Sequence, residues 1–169
     1  MAFFILTSLS CLILFGFMGY CIGHFGLKDC FSRYSMYFEE RGLLNWWSAS
    51  IIGSAILLIP VMLELSEGNS WQFTGFLAPL SLFLVGLTPE WQIKMPQYII
   101  HNIGVGLAVL FSVIYAICVP YLVWPILILA VVAGIATLIY KKAFIFWLEI
   151  AIYLAIYIIL FIMLAKRFA

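Results

Sequence analysis

"KKAFIFWLEIAIYLAIYIILFIMLAKRFA", residues 141–169, decides how the whole chain is read. From Ala143 to Ala165 its only polar side chains are Glu149, Tyr153 and Tyr157. At 1.5 Å per residue that run spans about 30 Å, the thickness of a bilayer's hydrocarbon core. A carboxylate inside such a helix is costly, by about 2.5–3.5 kcal/mol on insertion scales, so it must face other protein groups. The rest of the chain agrees with a lipid setting. It is 67% hydrophobic and only 9% charged, against about 25% charged in a soluble domain, too little to cover a surface in water. Net charge is +1, so nothing points to nucleic acid or to an acidic partner, and no nucleic-acid partner is expected.

Walking outward from that helix gives six candidate spans, about 3–25, 43–63, 73–89, 97–118, 121–139 and 143–165, and leaves no soluble domain. The expected fold class is therefore all-α, a polytopic transmembrane helix bundle. The first segment, "MAFFILTSLSCLILFGFMGYCIG", has no basic flank and no small-residue cleavage site, and reads as a retained span. The third is short and contains Pro79. The fourth and fifth are separated by "VPYLVWP", whose Pro120 and Pro125 predict a tight turn and a helical hairpin. If that turn does not reach the far interface, the count is five.

Six spans put both termini on one side. Lys28, Arg33, Arg41, Lys94, Lys141 and Lys142 lie on one face, and only Lys166 and Arg167 on the other. Basic loops stay cytoplasmic, so both termini are expected outside the cytoplasm. The longest loop, 26–42, repeats Phe31, Tyr34 and Phe38 at helical spacing and pairs Asp29 with Arg33. It reads as a short interfacial helix or an ordinary ordered loop. The four cysteines form no CxxC and share no metal spacing.

Small residues mark helix contacts where lipid removes the hydrophobic drive. Gly16, Gly19 and Gly23 line one face of the first span, and Gly104 lies in a stripe with His101, Ala108 and Ser112 on the fourth. Packing within the chain is the expected use of these faces, ahead of a seam with a second copy.

At 1.5 Å per residue Glu149 lies about 9 Å and His101 about 7–8 Å inside the cytoplasmic face. Asn102, Asn45 and Ser48 fall near the same depth, and Tyr153 and Tyr157 follow Glu149 on its helix face. His101 is thus the expected partner of Glu149, with Asn102, Tyr153 and Asn45 as hydrogen-bonding wall. Lys142 is expected to snorkel to the headgroups. There is no HExxH, P-loop or glycine-rich dinucleotide turn, so no cofactor and no metal are expected.

The segments "SRYSMYF" (32–38), "NWW" (45–47), "FLAPLSLFLVG" (76–86) and "YIIHNIGVGLAVL" (98–110) carry a resemblance. Together they resemble a pattern in short multi-span bacterial membrane proteins, of the kind found in Bacteroidetes and their mobile elements, over roughly residues 29–115. That resemblance implies a six-span protein in a bacterial inner membrane and implies no activity.

The leading functional expectation is non-enzymatic: a polar pocket in the cytoplasmic leaflet for a small or amphipathic ligand, or for a proton relay through His101 and Glu149. The expected partners are the lipid bilayer, that ligand, and a second copy or another membrane protein. The first rival is a membrane-disrupting effector or an assembly subunit. The second is a lipid-acting enzyme with Glu149 as base.

Overall fold

The computed structural model describes residues 1–119, 124–140 and 143–168, the side chains of Ile126, Tyr140 and Phe168 excepted. Among these it contains seven α-helices and one 3-10 turn. They are α1 (Ala2–Phe25), the 3-10 turn Phe31–Arg33, α2 (Tyr34–Glu39), α3 (Leu44–Leu65), α4 (Gln72–Gly86), α5 (Met95–Cys118), α6 (Trp124–Tyr140) and α7 (Phe144–Phe168). Every expected span is matched by a helix, with ends shifted by a few residues. Pro120, Lys141 and Lys142, and with them most of the expected turn and the expected snorkelling lysine, lie outside the described residues.

Four helices, α1, α3, α5 and α7, are long and apolar enough to cross a membrane, fewer than the six expected. The two shorter ones are α4, 15 residues, and α6, 17 residues. The physical reason for the short α4 is local. Pro89 disfavours helical backbone at Thr88, so the helix cannot run to 89. Instead Thr88 folds its hydroxyl back onto the Leu84 carbonyl at 3.0 Å.

Helices α3, α4 and α5 pack side by side in chain order. Helix α1 packs on α3, and α7 lies against α1, α3 and α5. Among the described residues helix α6 packs on α7 and makes no comparable contact with α5, so the expected α5–α6 hairpin is not a packed pair there. Close approach rests on glycines. A Cβ on Gly104 would lie 3.1 Å from the Ser81 carbonyl oxygen, one on Gly75 3.0 Å from that of Met62, and one on Gly86 2.6 Å from Ile52. Gly104 therefore packs within the chain as expected.

The stripe on α1 does not. Gly16, Gly19 and Gly23 are exposed, with nothing within 4 Å of a Cβ added to any of them. Helix α1 turns its other face inward: Thr7, Ser10, Leu14, Met18 and Cys21 are buried. Polar Ser10 outcompetes the glycines for the interior because its hydroxyl finds partners there, the Ser54 carbonyl at 2.8 Å and the Tyr157 hydroxyl at 2.6 Å.

The connector between α1 and α3 also departs from expectation. Phe31, Tyr34 and Phe38 keep their helical spacing, but they are 2%, 0% and 4% exposed and belong to the protein core. The apolar face of α2 is thus turned into the bundle rather than onto a membrane surface. Tyr34 donates to the Gly26 carbonyl at 2.7 Å, and Arg33 pairs with Asp29 as the spacing suggests. Phe146 at the start of α7 donates its N–H to the Asp29 carbonyl at 3.0 Å, and the Trp91 indole reaches the Ser32 carbonyl at 3.4 Å. These bonds gather the connector, the turn after α4 and the start of α7 at one end of the bundle. At the other end Arg167 pairs with Glu64 at 2.6 Å, joining the last turns of α7 and α3.

Candidate functional site

Glu149 answers to the connector. Its Oε2 accepts the backbone N–H of Phe31 at 2.7 Å. Phe31 opens the 3-10 turn, where a backbone N–H has no partner within its own helix. A buried, unpaired donor there would cost about 1–3 kcal/mol. The carboxylate supplies the acceptor from another helix and latches the connector onto α7.

His101 is not its partner. The ring is 2% exposed, its Nδ1 lies 3.2 Å from the Thr88 hydroxyl, and it stacks on Trp91 with ring centres 4.6 Å apart and planes 10° apart. The depth estimate placed both groups at the connector end, where they are. The turn after α4, however, closes over His101 and takes up its polar edge. Asn102 is exposed and donates to the Tyr98 carbonyl of its own helix at 2.8 Å, and Asn45 is exposed. Neither forms the expected wall.

Tyr153 does share a site with Glu149. Both line a cleft along the bundle interior with a cavity volume of about 60 Å³. Its floor is α3 and α4, with Trp47, Ile51, Leu58 and Met62 on the first and Ala78, Leu82 and Val85 on the second. All seven are buried. Its sides are α5, with Val105, Ala108 and Ser112, and α7, with Glu149, Ile152, Tyr153 and Ile156. Phe31 and Ser32 of the connector close one end.

Helix α5 packs closely on α4 but only lightly on α7, and Val105, Ala108, Ser112, Ile152 and Tyr153 are partly exposed. The cleft therefore opens sideways, between α5 and α7. From Trp47 to Met62 along α3 it runs about 22 Å. Such a trough is apolar along its length and carries a carboxylate at one end.

Reading the sequence missed two parts of this site. One is Trp47, fully buried on the cleft floor, whose indole N–H has no hydrogen-bond partner among the described residues. The other is the Phe31 N–H, a backbone group with no side-chain signature. The pair of aromatics in "NWW" was visible, but not which of them faces inward. Among the described residues no three metal-ligating side chains converge. Neither family models, curated proteins nor solved structures match this chain.

Cys30 reports on the latch. Burial raises its thiol above the usual range, and the nearby Glu149 carboxylate raises it further. A higher pKa leaves less thiolate at a given pH. Cys30 is thus expected to react slowly with a water-soluble maleimide at neutral pH. Glu149→Gln removes the second influence and loosens the connector, so labelling quickens. An unchanged rate in that variant would mean that Glu149 does not govern the connector.

Proposed function

We propose that this chain is a non-enzymatic, multi-pass membrane protein whose interhelical cleft binds an amphipathic ligand, the apolar chain along α3 and α4 and the polar end at Glu149. The observation that carries the reading is the cleft's sideways opening, which faces hydrocarbon when the bundle stands in a bilayer. A ligand then enters from the membrane, already desolvated. In this reading all six long apolar segments cross. The short α4 is flanked by α3 and α5, and Thr74, Gly75, Val85 and Gly86 near its ends are buried against protein, which a bilayer tolerates.

Lys28, Arg33, Arg41 and Lys94 gather at the connector end, which supports a cytoplasmic side for it and both termini outside. A proton relay is the weaker version, because no histidine or second carboxylate bonds to Glu149 among the described residues. The test is a fluorescent long-chain probe titrated into purified protein in nanodiscs. Saturable binding is expected, and Ala108→Trp, which fills the cleft from α5, weakens it by roughly tenfold or more. Equal binding to both proteins would place the probe elsewhere and remove the reading.

A further inference from the structure

Resting on that reading of the cleft, we propose that its ligand is a long-chain amine, whose cationic head pairs with Glu149, rather than an anionic amphiphile such as a fatty acid. Phe31 occupies one carboxylate oxygen, and the other has no hydrogen-bond partner among the described residues. No described cation neutralises it. Arg33 is taken by Asp29, Lys94 by Glu90 and Arg167 by Glu64. Lys28 lies 4.4 Å over the Tyr37 ring and Arg41 4.6 Å over that of Phe25. His101 is held by Thr88 and Trp91.

The result is an acidic group at the end of an apolar trough, with accepting capacity to spare. In a medium of low dielectric an ammonium head gains strongly from it, and a second carboxylate is repelled.

The experiment is photolabelling of the full chain in phosphatidylcholine nanodiscs. The probes are an alkyl amine, an alcohol and a fatty acid, all of one chain length and each with a mid-chain diazirine. Labelled peptides are mapped by mass spectrometry. Amine labelling of segments 105–112 and 149–157 is expected to exceed fatty-acid labelling roughly tenfold or more. Glu149→Gln abolishes that preference while labelling by the alcohol persists, which controls for folding. Equal labelling of the cleft by amine and fatty acid overturns the amine assignment and leaves the cleft as a ligand site. Failure of every probe to label these segments above the outer face of α1 overturns both.

Discussion

Glu149→Leu frees the connector. Losing the acceptor for the Phe31 N–H at 2.7 Å leaves a buried donor unpaired, at a cost of about 1–3 kcal/mol. Removing a charge from hydrocarbon would act in the opposite direction. That gain, however, is nearly the same in the separated, inserted helices and in the assembled bundle, so it largely cancels from the stability of the fold. The latch therefore wins. Amide exchange at Phe31–Tyr34 is expected to quicken by roughly tenfold to a hundredfold, with thermal stability in detergent lowered. Glu149→Gln keeps an acceptor oxygen and loses about half as much. Unchanged exchange at Phe31 in the leucine variant would show that the carboxylate does not hold the connector.

The second large effect belongs to Gly75. A Cβ there would meet the Met62 carbonyl oxygen and the Ser66 hydroxyl, each at 3.0 Å. The first is backbone and cannot rotate away. A whole leucine side chain forces α4 off α3, a loss of about 3 kcal/mol or more. Gly75→Leu is expected to give little monodisperse protein after solubilisation. Gly19→Leu, on the open face of α1, changes stability by no more than about 0.5 kcal/mol. Comparing the two by size-exclusion chromatography and thermal melts checks both. A stable Gly75→Leu, or a Gly19→Leu that fails to assemble, would contradict the packing described above.

These two residues also mark how far the sequence could be read. Helix existence and approximate ends followed from apolar run length, because lipid leaves a segment of that length little alternative to helix. The end of the bundle followed too: Glu149 and His101 both lie at the connector end. The direction in which each side chain faces did not follow. When nearly every face of a helix is apolar, periodicity no longer tells inside from outside. The GxxxG at Gly19 and Gly23 is therefore no better a guide than the lone Gly75. Ser10, one hydroxyl in an apolar span, set the rotation of α1 by finding partners on α3 and α7. His101 was claimed by Thr88 and Trp91, residues that the sequence assigned to the end of a span and to a loop. The cleft itself arises from the light contact between α5 and α7, a tertiary feature that no local pattern encodes.

The central claim is that the cleft holds an amphiphile taken from the membrane. Native mass spectrometry of protein extracted gently from its own membranes tests it most directly. Wild-type protein is expected to carry a bound species of defined mass that survives detergent removal, and Ala108→Trp is expected to fly bare. Bare wild-type protein, or the same bound species on both proteins, would contradict the claim.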